Sequence, residues 1–451
     1  MTVDNVLLVT IDSLRYDRVL GDRGVDPAPT ISRLAESGTS FTNAFSNGPN
    51  TPTSFPSILT STYPLMYGGY DYLDDRRPFL SETLADAGLS TVGYHSNPHL
   101  GPQQNYNSGF QNFNDGAEED DDARTIKNFV DANLDPDSRL YRLLRRVWHY
   151  FTMKTDSSAY VKAPEITDRA IDWLDDTWDG ETPYFMWLHY MDVHYPFTPP
   201  DEFVSEIGAE PPSTRRTADL NGKMQENPEQ LSEADRGTLL DLYDGEIRYM
   251  DHHLGRLVDR LEALDERENT AIVVTADHGE AFGEHDRYGH HEYMYDELMH
   301  VPLVVDVPGR AGRTVEEQVS LIDIGPTVCD LVGTDVPEAV QGESLDPYLS
   351  GESSEDRTLI GTSSQGDRLA VRTPSWKFLW HRADERVELY DLESDPEERR
   401  DVSDDRPEEV SRFRERLEEY LEEAAATNTE LPDIDESPET KQRLKDLGYV
   451  D

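Results

Sequence analysis

The chain has 451 residues, 92 of them acidic and 41 basic, for a formal net charge of −51. That surplus repels nucleic acid and anionic membranes and excludes both as general partners. Six Trp, 22 Tyr and several unbroken apolar runs exclude a disordered acidic polymer.

Lysine is scarce and arginine carries most of the positive charge. An acid-rich, lysine-poor folded surface is of haloarchaeal type, where molar salt screens self-repulsion. The single Cys329 cannot form an internal disulfide and reads as a small core residue. Neither a signal peptide nor a spanning segment stands ahead of the first apolar run, so the expected location is the cytoplasm, with no stable membrane anchor.

In chain order, residues 6–11 are a β-branched and leucine run ending on Asp12, as in a strand buried on both faces of a parallel sheet. Residues 29–38 predict a short helix closed by glycine. Residues 41–45 predict an extended segment, 47–52 a turn and 54–59 a helix. A helix over 80–87 and a strand over 90–94 lead to Ser96-Asn97-Pro98. Residues 115–165 form an insert of different texture. An acidic run there precedes Leu140, Leu143, Leu144, Val147, Trp148 and Phe151 at helical spacing, with arginines between them. The segment at 139–151 is expected to be a lid or packing helix, with a membrane-surface helix and a dimer contact as the alternatives.

A buried strand over 183–190 follows, ending near His194. Residues 200–235, rich in Pro and Glu, read as an irregular surface excursion, and 240–264 as a long amphipathic helix. Residues 271–276 repeat the buried-strand pattern and end on Asp277-His278-Gly279-Glu280. Another strand is expected over 301–307. Beyond residue 355, alternating segments at 369–372, 376–381 and 387–392 predict a small antiparallel sheet. A charged helix over 407–424 closes it. The whole predicts a three-layer α/β/α fold with a mainly parallel central sheet. Its catalytic domain spans 1–355, and a C-terminal antiparallel-sheet-plus-helix subdomain spans 356–451.

Ligands of open α/β sheets bind at the carboxyl ends of strands. Asp12, Asp277 and His278 are therefore expected to converge as oxygen and nitrogen ligands for one divalent ion, with Ca, Mg, Mn and Zn all open. A hydroxyl in the turn at residues 50–54, before a helix N-terminus, stands where amides and the dipole stabilise an anion. Beside a metal it becomes a nucleophile.

These blocks have a familiar order. The Asp12 strand, the 29–45 block, Asp277-His278-Gly279-Glu280 with Gly283-Glu284-His285, Val301-Pro302-Leu303, and Tyr390-Asp391-Leu392 with Asp395-Pro396-Glu397-Glu398 follow one another. The sequence resembles the sulfatase family of the alkaline phosphatase superfamily. The resemblance implies a metal-dependent hydrolase acting on a small-molecule, glycan-linked or lipid-linked anionic ester. It implies a metal site of Asp12, Thr51, Asp277 and His278.

One departure matters. Sulfatases read Cys-x-Pro-Ser-Arg, whose Cys or Ser becomes formylglycine; here Thr51 takes that position, Thr53 replaces the Pro, Ser54 keeps the Ser and Phe55 replaces the Arg. Oxidising a threonine would give a ketone, so the resemblance implies no formylglycine and Thr51 as a plain alkoxide nucleophile. Phosphodiester or phosphonate hydrolysis and phosphoglycerol-type transfer then stand beside sulfate-ester hydrolysis. A catalytically inactive binding protein is the reading from another class. Ser13 replaces the family's second Asp. Asn97 falls near the sulfatase lysine and is expected to bind substrate. Arg15 either reaches the anion or pairs with an acid. His194 matches the histidine that contacts the anion or protonates the leaving group. His290 and His291 stand where the family places a Lys or His, and spacing does not separate them. His189 reads as strand packing and His285 as a supporting residue.

Overall fold

The computed structural model describes residues 2–21, 24–116, 160–353 and 357–428, with 431, 440, 441 and 443. The basic amphipathic segment at 139–151 and most of the 115–165 insert lie outside the described residues.

The central sheet takes its strands from the apolar runs. They are β1 (Asn5–Ile11), β2 (Thr39–Phe45), β3 (Ser90–Tyr94), β4 (Asn112–Asn114), β5 (Tyr184–Tyr190) and β6 (Thr270–Ala276). A two-stranded ladder of β7 (Ala281–Phe282) and β8 (Tyr288–Gly289) follows. Then come β9 (His300–Asp306), β10 (Arg313–Val315) and β11 (Val319–Ser320). The spatial order is β10-β2-β9-β6-β1-β5-β3-β4, with β11 beside β2. Among the described residues, only β9 runs against its neighbours, β2 and β6, and every other pair in this sheet is parallel. β1, β5 and β6 are buried along their whole length. Helices cover both faces of such a sheet, which is why these runs do not alternate.

The long helix, Glu233–Ala263, starts earlier than its apolar periodicity suggests. Ser232 and Asp235 form a capping box that satisfies the first amides across a polar opening turn. Residues 200–235 are not an irregular excursion. They hold helices Asp201–Glu206 and Thr214–Glu226, which bury Phe203, Val204, Leu220 and Met224. Their short apolar stripes are diluted by Pro and Glu, which hid the period.

The second sheet is antiparallel, in the order β12 (Leu359–Thr362), β13 (Arg368–Arg372), β14 (Trp376–His381) and β15 (Arg386–Asp391). Helix Pro407–Thr427 packs Phe413, Leu417 and Tyr420 against Ile360, Leu369, Val371, Phe378 and Leu389. Each such buried side chain contributes about 1.5–3 kcal/mol. β12 is only four residues long and had no alternation to reveal it.

Buried charges fasten this sheet to the loop before β9. Lys377 Nζ lies 2.6 Å from Asp296 Oδ1 and 2.9 Å from Glu398 Oε1, while Arg372 Nη2 lies 2.9 Å from Asp296 Oδ2. His285 joins the same seam: Nδ1 is 2.9 Å from Glu297 Oε1 and Nε2 is 3.0 Å from the Glu398 carbonyl oxygen. Among the described residues, no helix is long and apolar enough to cross a membrane.

Candidate active site

The carboxyl edge of the central sheet gathers the chemistry, and each strand ends there for a local reason. Ser13, just past β1, has a φ of 59°, a left-handed conformation that turns the chain at once. Its Oγ donates to Asp12 Oδ1 at 2.8 Å, and its backbone N–H to Asp277 Oδ1 at 3.3 Å. β6 lies in register with β1, Ala276 opposite Ile11, so Asp277 emerges beside Asp12. Gly279 follows because a Cβ there would sit 2.1 Å from the Glu297 carbonyl oxygen.

The chain leaving β2 enters helix Thr51–Thr60. Asn50 caps it, its Oδ1 accepting from the Thr53 N–H at 3.3 Å and from Thr53 Oγ1 at 2.8 Å. The helix therefore begins at Thr51 rather than Ser54, and Thr51 stands at the positive end of the dipole. Ser54 is spent locally on the carbonyl oxygens of Gly48 and Asn50.

Four side chains meet there. Thr51 Oγ1 is 3.3 Å from Asp12 Oδ2 and 3.5 Å from His278 Nε2. His278 Nε2 is 3.6 Å from Asp12 Oδ1 and 3.5 Å from Asp277 Oδ2. One ligand atom each from Asp12, Asp277 and His278 lie within 4.8 Å of one another, all buried. Asn97, past β3, sets Nδ2 3.1 Å from Asp12 Oδ2 and 3.4 Å from Thr51 Oγ1.

A divalent cation fits this set. His278 Nδ1 faces the Gly279 carbonyl oxygen at 2.8 Å, which places its proton there and leaves a lone pair on Nε2 toward the carboxylates. Burial pushes His278 down to about 4, keeping the ring neutral as a ligand must be. Burial and the Asp12 charge push Asp277 up, a conflict that a cation between the two carboxylates removes. Asp277 Oδ2 is buried without a hydrogen-bond partner among the described residues.

Imidazoles surround the four. His194 and His290 meet edge to face at 4.8 Å, and His290 lies 4.6 Å from His278, ring centre to ring centre. Burial pushes His99 and His194 down to about 4. Burial also pulls His290 down, but the Glu280 carboxylate, 3.2 Å from its Nδ1, outweighs it and raises the group overall. His291 is exposed and turns toward Tyr293, so the structure separates the two neighbours: His290 lies at the cluster and His291 outside it. His189 does pack against Thr10, yet its Nε2 also lies 3.5 Å from Asp12 Oδ2.

Arg15 takes the ion-pair alternative. Its fork holds Asp17 at 2.8 and 3.0 Å, and Nη1 reaches Glu284 Oε1 at 3.0 Å and the Glu280 carbonyl oxygen at 2.9 Å. It braces the loop carrying Glu280 instead of presenting a free guanidinium to substrate. Sequence reasoning missed Glu280, Ser13 and His99 as site residues. Glu280 sat inside the Asp277-His278-Gly279-Glu280 block, while nothing local marked His99 or the turn at Ser13.

The family described as Sulfatase matches residues 4–334. The chain belongs to the sulfatase family. It is thereby an ester hydrolase, in a family whose members depend on a metal. Residues 283–427 match the family described as N-sulphoglucosamine sulphohydrolase, C-terminal. The chain is 27% identical over 439 residues to an arylsulfatase of Clostridium perfringens, covering 87% of this chain and 89% of that protein. It is 24% identical over 448 residues to arylsulfatase K of Canis lupus familiaris, covering 90% and 80%. Among solved structures, BT4656 in complex with its substrate D-glucosamine-2-N,6-O-disulfate superposes with a TM-score of 0.70 at 18% identity, covering 94% of this chain and 99% of that one. The phosphonate monoester hydrolase of Agrobacterium radiobacter superposes at 0.68 with 22% identity, covering 94% and 96%. The sulfatase fold is thus present from the first strand to the C-terminal sheet.

Proposed function

We propose that the chain hydrolyses sulfate esters, or phosphate-type esters of similar shape and charge, with Thr51 as nucleophile and without formylglycine. The observation that carries this reading is Thr51 Oγ1, 3.3 Å from Asp12 Oδ2 and 3.5 Å from His278 Nε2 at a helix N-terminus. A divalent ion held by Asp12, Asp277, His278 and Thr51 would supply the Lewis acidity that makes a threonine hydroxyl nucleophilic at neutral pH.

The Thr51 hydroxyl gives up its proton to water, and its oxygen bonds to sulfur or phosphorus as the bond to the ester oxygen breaks. Asn97 donates to a non-bridging oxygen where negative charge builds. His290, steadied through Nδ1 by Glu280, gives its proton to the departing oxygen. Water then cleaves the Thr51 ester, releasing sulfate or phosphate and restoring the hydroxyl. Threonine favours a phosphorus ester and family membership a sulfate ester. In this reading residues 1–355 act as the catalytic domain and 356–451 as the subdomain on its rim.

The test is Thr51→Ala against aryl sulfate, aryl phosphate, diester and phosphonate probes. Turnover is expected to fall at least about 10³-fold with metal content intact, and Thr51→Ser to keep part of it. Near-full activity in Thr51→Ala removes Thr51 from the mechanism. A metal-loaded wild type that cleaves none of the probes turns the reading toward a binding protein.

A further inference from the structure

Arginine is a minority charge here, with 41 basic against 92 acidic residues. One cavity of about 90 Å³ nevertheless gathers Arg287, Arg368 and Arg386 with Tyr293, Trp380 and His381, and among the described residues no carboxylate stands in its wall. Its volume holds several waters, or one oxyanion with part of its carrier. The guanidinium carbons of Arg287 and Arg368 lie 4.5 and 5.6 Å from the same Tyr293 ring centre. Stacking orders both forks without cancelling their charge. Among the described residues neither of these two arginines forms an ion pair. Arg386 meets Glu388 behind the wall and faces His381 at 3.1 Å, so the balance of the cavity stays positive.

The cavity is linked to the catalytic edge by short steps. Arg368 Nη1 donates to the Glu292 carbonyl oxygen, and Glu292 Oε1 accepts from Asn50 Nδ2 at 3.3 Å. Asn50 caps the helix that begins with Thr51. Arg287 opens the same loop that carries His290.

We propose that this cavity is a second anion subsite, which selects esters whose ring bears another oxyanion. Arginine forks match the oxygens of a sulfate, phosphate or carboxylate, and Tyr293 and Trp380 offer aromatic surface to the ring that carries it. The assignment of the occupant as substrate rests on the hydrolase reading above; the anion preference of the cavity does not.

Calorimetric binding tests it, using monosulfated glucosamine and disulfated glucosamines with the second sulfate on N2 or O3, at one fixed salt concentration. Wild type is expected to bind a disulfated form roughly tenfold more tightly. Arg287→Ala and Arg386→Ala should each lose most of that preference, and Arg287→Lys should keep part of it. Arg287 is exposed and its removal spares the core, whereas Arg386 pairs with the buried Glu388, so the Arg386 variant is read beside its unfolding curve. Turnover of 4-nitrophenyl sulfate or phosphate should stay within about twofold of wild type. Equal affinities in wild type, or a preference that survives both alanine variants, overturns the subsite. A preference lost as expected in a protein that cleaves no ester keeps the subsite and overturns the hydrolase reading instead.

Discussion

The Nδ1 of His290 lies 3.2 Å from the Oε2 of Glu280, a fully buried carboxylate in the same block as the proposed metal ligands Asp277 and His278. A histidine so held has one nitrogen occupied, and the other is the one the proposed mechanism uses as its proton donor. Glu280→Gln keeps the shape and an acceptor but removes the charge. It should lower kcat about 10–100-fold with KM and metal content little changed. Steady-state kinetics with metal analysis decides it, and an unchanged kcat would release Glu280 from that part.

Asp277 carries a linked expectation for stability. Burial and Asp12 raise its carboxyl above the ordinary 3.8, so the metal-free fold binds this proton more tightly than the unfolded chain does. That contribution is present below 3.8 and is lost as pH rises through the raised folded value. At neutral pH without metal, Asp277→Asn should unfold at or above the wild-type temperature. With metal the order should reverse, because the variant has lost a ligand. Thermal unfolding with and without chelator reads both, and parallel curves would contradict the site.

His285 has the opposite kind of partner. Burial lowers it, but the Glu297 carboxylate and the Glu398 carbonyl oxygen outweigh this and hold it up to about 9. Its stabilisation is complete below 6.5 and disappears as pH rises through about 9. The melting-temperature gap between wild type and His285→Gln should therefore be widest in mild acid and close in alkali.

Lys377 is 1% exposed and bridges Asp296 and Glu398. Lys377→Met would leave the buried Glu398 and the half-buried Asp296 without that cation, at an expected cost of about 3–5 kcal/mol. Adding Glu398→Gln should recover part of the loss. Urea unfolding measures both, and additive losses would deny the coupling.

A net charge of −51 burdens the fold with self-repulsion that salt would screen. The Debye length shortens from about 10 Å at 0.1 M to about 3 Å at 1 M salt. The melting temperature is expected to climb steeply across that range and to keep rising above it. A flat response would overturn the expectation of an adaptation to molar salt.

The sequence by itself determined the doubly buried strands, because unbroken β-branched runs have few other stable uses. It also determined that Asp12, Asp277 and His278 share an edge, since such strands lie parallel and stop where their apolar residues do. It could not choose between His290 and His291, whose spacing is equivalent until a loop turns one inward. Nor could it show that Arg15 was already occupied by Asp17 and Glu284, or that Thr51 opens its helix. Those outcomes depend on which distant groups a side chain meets: Glu280 for His290, Asp17 and Glu284 for Arg15, Asn50 and Glu292 at the Thr51 helix. Local pattern sets where an element forms. Only the packed fold decides which hydrogen bonds and charges complete it, because those partners come from remote parts of the chain.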